Sequence, residues 1–124
     1  MKKFLWALWP VLIIVVIVGG LIGFAGIMII QTQARTVDYV IDGDTLVMES
    51  GERVRISNID APEKGEEGYD HARILLRTLI HDKYVELERL GEDKYGRTLA
   101  RVKLDGADVG EMMIELGAAR RWEE

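Results

Sequence analysis

The stretch from Val40 to Glu63 carries three carboxylates around tight turns, Asp42, Asp44 and Asp60, with Glu63 just beyond the last of them and Arg55 on the strand between. Carboxylates held close together repel one another, so such a cluster calls for a cation. An arginine beside them calls for an anion, which its planar fork grips with two parallel donors. A site that takes both is laid out for chemistry on a phosphate ester, where a metal polarises the phosphoryl group and a guanidinium meets the developing charge. Each residue also has a plainer reading. Asp42 and Asp44 suit a turn around Gly43, Asp60 suits an Asx-turn, Arg55 a solvated strand face, and Glu63 plain surface charge after Pro62.

Short strands must bring these residues together. Thr36 to Ile41 is β-branched and aromatic and reads as a first strand, and Asp42-Gly43-Asp44 as its turn. Thr45 to Met48 follows, and Glu49 to Glu52 closes a hairpin onto Arg53–Ile56. There Val54 and Ile56 face inward while Arg53 and Arg55 share the other face, by the period of two. Ile59 to Glu63 leaves the sheet, with Pro62 ending ladder pairing. Lys64 to Gly68 is a charged loop. Ala72, Leu75, Leu76, Leu79 and Ile80 form one apolar stripe, which predicts a helix over Tyr69 to His81. His71 and His81 fall on its polar side.

The second half repeats the strand pattern. Lys83 to Arg89 reads as a strand with Val85 and Leu87 inward, Gly91 to Gly96 as a loop, and Arg97 to Leu104 as a further strand. After the Asp105-Gly106 turn, Asp108 caps a short helix with Glu111 as its capping-box partner. Val109, Met112, Met113 and Leu116 form its buried stripe, and Gly117 ends it. Arg120 and Arg121 read as a solvated basic pair. The expected fold is α+β and mainly β: a five-stranded Greek-key barrel of the OB type with two helices.

Composition limits the alternatives. The chain has 124 residues and no cysteine, so disulfides, thiol nucleophiles and Cys-based zinc sites are excluded. Phe4 to Ile30 is uncharged and follows Lys2 and Lys3. Val11 to Ile30 as a helix would rise about 30 Å, the thickness of a bilayer core. Trp6 and Trp9 would lie at the interface, with the N-terminus cytoplasmic and the following domain outside. The expected organisation is a membrane anchor over 1–30, preceding the barrel as one transmembrane helix, a linker over 31–35 and a catalytic domain over 36–124. The alternative is cleavage after Ala34, which would release the domain. Without Lys2 and Lys3 the remainder holds 14 basic residues against 21 acidic ones. An acidic domain binds nucleic acid poorly unless a bound cation and local arginines overcome the overall field.

The runs VIDGDTL, RVRISNIDAPE and DKYGRTLARV, followed by a short helix ending in Gly, resemble the staphylococcal-nuclease (thermonuclease) family over roughly Val37 to Ala119. The resemblance implies a Ca²⁺ held by Asp44, Asp60 and the backbone carbonyl of Ala61, where the best-known members have Thr. It implies Glu63 as general base, Arg55 and Arg97 on the phosphate, and Lys94 and Tyr95 beside the nucleotide. Asp42 would support the metal ligands. The best-known members add a further C-terminal helix that carries an aromatic wall, a role Trp122 would partly fill here. The implied activity is cleavage of DNA and RNA to 3′-phosphate ends at a membrane, with no protein partner. The alternative is a binding module of the OB type, without catalysis, for nucleic acid or protein.

Overall fold

A computed structural model describes residues 36–123; the expected anchor over 1–30 and linker over 31–35 lie outside the described residues. The described chain runs β1 (Val37–Asp42), β2 (Thr45–Met48), β3 (Arg53–Ile56), β4 (Ile59–Asp60), α1 (Tyr69–Ile80), β5 (Glu86–Glu92), β6 (Thr98–Leu104), β7 (Ala107–Asp108), α2 (Val109–Glu115) and β8 (Arg120–Arg121). The main sheet has the order β1-β2-β3-β6-β5, with β7 added to β6. Its one parallel pair is β3 with β6, in the register Val54 to Thr98 and Ile56 to Ala100. The two ends of this path approach each other. Thr36 bridges Tyr84, the Val37 N–H donates to the Lys83 carbonyl at 3.1 Å, and the Asp82 N–H donates to the Val37 carbonyl at 3.1 Å. Five principal strands in this order, with a helix between β3 and β5, are consistent with the expected OB-like fold. Among the described residues no helix is long and apolar enough to cross a membrane.

The core follows from the apolar periodicity. All four residues of β2, which lies between β1 and β3, are buried. Val54 and Ile56 point inward from β3, as period two requires. They meet Ala72, Leu76 and Ile80, which share one face of α1 and are fully buried. Burying Leu76 and Ile80 contributes roughly 1.5–3 kcal/mol each. Val109 and Met113 bring α2 onto the same core.

Several expectations need correction. β5 begins at Glu86 rather than Lys83 and continues through Gly91 to Glu92, so the following loop starts at Asp93. The pairs Arg89–Ala100 and Gly91–Leu99 leave Leu90 as an extra residue, a bulge that Gly91 accommodates within the strand. Arg97 stands before β6, which begins at Thr98. Ile59 and Asp60 do not leave pairing: they form β4, which pairs with Arg121 and Arg120 of β8. Leu116 is 53% exposed, because α2 stops at Glu115 and Leu116 becomes its capping residue. The capping box is half made. The Asp108 carboxylate accepts the Glu111 N–H at 2.9 Å, but the Glu111 carboxylate is taken by Arg121 at 2.7 and 2.8 Å.

The β1–β2 turn sets the position of the acidic cluster. A two-residue loop, Gly43-Asp44, joins Asp42 to its partner Thr45. A β-carbon at Gly43 would stand 2.7 Å from the β-carbons of both Ala61 and Ala72. Only glycine lets this turn lie against the β4 segment and α1 together. The substitution Gly43→Ala should therefore destabilise the chain by about 1–3 kcal/mol through overpacking. Urea unfolding followed by circular dichroism measures this, and an unchanged midpoint would refute the close approach.

Candidate active site

Asp44 is fixed on three sides. Its backbone carbonyl accepts the Ile56 N–H at 2.9 Å. Its Oδ2 accepts the Ala61 N–H at 3.0 Å, and its Oδ1 accepts the Thr45 hydroxyl at 3.1 Å. The Asp44 N–H in turn donates to Asp42 Oδ1 at 3.1 Å, so the two aspartates of the turn stand side by side. Asp44 is 7% exposed. Burial, and after it the side-chain hydrogen bond with Asp42, push its carboxyl up to about 6, against the pull of the Ala61 N–H and of Arg55.

Arg55 joins the two carboxylates that the family resemblance assigns to the metal. Its Nη2 lies 3.2 Å from Asp44 Oδ2 and 3.7 Å from Asp60 Oδ1. Its Nη1 donates to the carbonyl of Ile56 and, at 2.8 Å, to the carbonyl of Ile59. The guanidinium is thus anchored on the β3–β4 backbone, with one nitrogen aimed at the carboxylate pair. Trp122 covers it, with the ring centroid 6.0 Å from the guanidinium carbon.

A second arginine approaches from the β5–β6 loop. Asp93 builds that loop: its Oδ1 accepts the backbone N–H groups of Tyr95 and Arg97, each at 2.9 Å. Its Oδ2 takes Arg97 Nε at 2.6 Å. Burial works to raise the Asp93 carboxyl, but the Arg97 and Tyr95 hydrogen bonds outweigh it and hold the group below the usual carboxylate range. Two cations approach the Tyr95 ring, the Arg97 guanidinium carbon at 5.5 Å and Lys94 Nζ at 5.1 Å from its centroid. Arg97 Nη1 donates to the Thr45 hydroxyl at 3.3 Å, and that hydroxyl donates to Asp44. One buried threonine therefore links the second arginine to the buried carboxylate.

The charged and aromatic groups among these border one open cleft of about 980 Å³. Asp42, Asp44, Arg55, Asp60, Ala61, Glu63, Lys94, Tyr95, Arg97 and Trp122 line it, so the residues singled out from the sequence stand together although they are up to eighty positions apart. Glu63 is exposed on its rim. Ala61 meets Asp44 through its N–H. Sequence reasoning missed three contributors. Asp93 was legible as the first residue of an Asp-x-x-Gly turn. Thr45 stood unremarked inside the IDGDT run. Arg120, whose Nη2 lies 3.1 Å from Asp60 Oδ2, shows no sequence signal, since its partner comes from a strand pairing that was not foreseen.

Among the described residues no group of three or more carboxylates or imidazoles gathers closely enough to hold an ion. What converges is a pair, Asp44 and Asp60, on a single cationic nitrogen. This donor set still fits a hard divalent cation. Ca²⁺ takes carboxylate, carbonyl and water oxygens at flexible geometry, so two protein carboxylates suffice to begin a site. Burial raises the Asp44 carboxyl against the pull of Arg55, and a cation bound beside it would oppose that rise.

Residues 53–124 match the family model described as "Staphylococcal nuclease homologue". The chain belongs to that family. It is 38% identical over 89 residues to an Escherichia coli O157:H7 protein named "Uncharacterized endonuclease", spanning 68% of this chain and 58% of the relative. A Haemophilus influenzae protein of the same name is 37% identical over 84 residues, 64% of this chain and 47% of its own length. The Shigella flexneri "Micrococcal nuclease" is 41% identical over 66 residues, 51% of this chain and 38% of its own length. The chain thus spans about half the length of these relatives.

The buried Asp44 makes stability depend on pH. Its carboxyl is raised in the folded state, so folding binds the proton more tightly than the unfolded chain does. The associated stability is full below the ordinary value of 3.8 and is lost as pH rises through about 6. In chelator, the wild type should lose stability relative to Asp44→Asn as pH rises from about 4 to 6, because the variant lacks this titration. Urea midpoints across this range give the comparison; identical slopes in both proteins would refute the assignment.

Proposed function

We propose that this chain is a Ca²⁺-dependent phosphodiesterase that hydrolyses DNA and RNA to 3′-phosphate ends. The observation that carries the reading is the shared approach of Asp44 and Asp60 to one position beside Arg55, with Arg97 on the same cleft. The relatives named endonuclease and micrococcal nuclease support it. A binding module has no use for a carboxylate pair, one member of it buried, on a cleft that also carries two arginines.

Asp44, Asp60 and the Ala61 carbonyl would hold the ion. Bound there, Ca²⁺ supplies a Lewis acid that polarises a phosphoryl oxygen. Glu63 accepts a proton from the attacking water as a new oxygen–phosphorus bond forms. The bond from phosphorus to the 5′-oxygen breaks, leaving the phosphate on the 3′ side and a 5′-hydroxyl that is protonated from solvent. Arg55 and Arg97 meet the negative charge that builds on the phosphoryl oxygens, and their forks are already oriented by Ile56, Ile59, Asp93 and Thr45. Preorganised donors are worth most where burial limits screening by water. Tyr95 donates to a phosphate oxygen, and Lys94 attracts the strand at the rim.

The uncharged segment over 4–30 supports a membrane tether with the N-terminus cytoplasmic and the catalytic domain over 36–124 outside. Cleavage after Ala34 would instead give a secreted form of the same domain.

The full-length chain should cleave single-stranded DNA in Ca²⁺ and lose that activity in chelator. Glu63→Gln should lower the rate by about 10²–10⁴ while leaving the thermal midpoint nearly unchanged. The proposal fails if the folded wild type binds Ca²⁺ and yet is as inert as Glu63→Gln. Binding of the strand that survives chelation, without cleavage, would favour a binding module.

A further inference from the structure

The short strand β8 has no role in the proposed chemistry, yet it reaches the site. It pairs with β4 in the register Asp60 to Arg120 and Ile59 to Arg121. Two further contacts hold it there: the Trp122 N–H donates to the Asn58 carbonyl at 3.1 Å, and Arg121 makes two bonds to Glu111 at 2.7 and 2.8 Å. On this anchored strap the Arg120 guanidinium places Nε 3.3 Å and Nη2 3.1 Å from one oxygen of Asp60, Oδ2. The other oxygen, Oδ1, is the one that faces Arg55 Nη2 and, beyond it, Asp44.

The two oxygens of Asp60 therefore have separate duties. The Asp60 side chain is 26% exposed and shares Arg55 Nη2 with the negative charge of Asp44, so repulsion favours its turning out to solvent. Two donors on Oδ2 oppose that turn and leave Oδ1 pointing inward. The Arg120 side chain is 83% exposed, so as an ion pair it adds little stability. Its consequence is orientation. Carboxylates that ligate metals are themselves held by outer hydrogen bonds, and loss of those bonds weakens the metal site.

We infer that Arg120 is a positioning residue for cation binding: clamped by β8, it fixes Asp60 with one oxygen presented to the position it shares with Asp44. This rests on the proposed Ca²⁺ reading and adds to it a residue from outside the acidic cluster.

Calorimetric titration of the full-length chain with Ca²⁺, without nucleic acid, tests it. Arg121 is the internal control. It sits on the same strap with a comparable ion pair, but its partner is Glu111 rather than a site carboxylate. Arg120→Ala should weaken Ca²⁺ binding by about tenfold or more, while Arg121→Ala stays close to wild type. Should the alanine variant fold poorly, Arg120→Gln, which keeps most of the aliphatic stem, gives the same comparison. The inference is overturned if Arg120 variants bind Ca²⁺ as well as or better than wild type, or if Arg121→Ala weakens binding equally, since docking of the strap would then be the cause. A wild type that binds no Ca²⁺ overturns the cation reading and this inference together. A wild type that binds, with unaffected Arg120 variants, overturns this inference alone.

Discussion

The arrangement depends on one cation shared by two anions. Asp44 comes from the β1–β2 turn and Asp60 from β4, and the two would repel each other if left alone. Arg55 Nη2, at 3.2 and 3.7 Å, lets them share a small space. A guanidinium suits this task because it cannot lose its charge and because its other nitrogen is free to bond backbone carbonyls. Here Nη1 takes Ile56 and Ile59, tying the charge to the β3–β4 backbone. A lysine in this place would present one ammonium on a flexible stem and could not serve both ends in a fixed geometry.

The fold around this group keeps a buried charge in place. A carboxylate such as Asp44 would otherwise escape to water or take up a proton, and burial pushes it that way, up to about 6. The surroundings answer with donors: the Ala61 N–H, the Thr45 hydroxyl and, through that hydroxyl, Arg97. The sheet order makes this possible. β3 pairs with β2 on one side and runs parallel to β6 on the other, so Arg55 at mid-strand stands close to the turn that carries Asp44 and to the start of β6. Function is concentrated where the packing is least favourable, as expected of a site that must hold charge out of water.

Much of this was legible from residue order. β2 and β3 were found with their ends correct, because β-branched runs between strong turn signals leave little freedom. The stripe from Ala72 to Ile80 gave the helix and its buried face. Most residues of the cleft were legible because they sit at or beside turns, where Asp, Gly and Pro mark the chain, while Arg55 was legible from the period of two along β3. Long-range pairing was not legible. Ile59 and Asp60 look like a departure from the sheet, and only the fold supplies β8 as their partner. For the same reason Arg120 reads as solvated in the sequence, although it holds Asp60 in the structure. The β5 bulge was missed because Gly91 looks like a loop residue until the register with β6 shows Leu90 set aside.

Arg55 supplies the charge that the carboxylate pair would otherwise draw from a metal ion. The thermal midpoint of Arg55→Gln, with and without saturating Ca²⁺, measures it directly against wild type. Removing the guanidinium should lower the midpoint in chelator, and Ca²⁺ should raise it by more in the variant than in the wild type, because the ion then compensates a pair that has lost the cation it shared. An equal rise in both proteins would contradict the account, since it would mean that Arg55 and the ion do not act on the same two carboxylates.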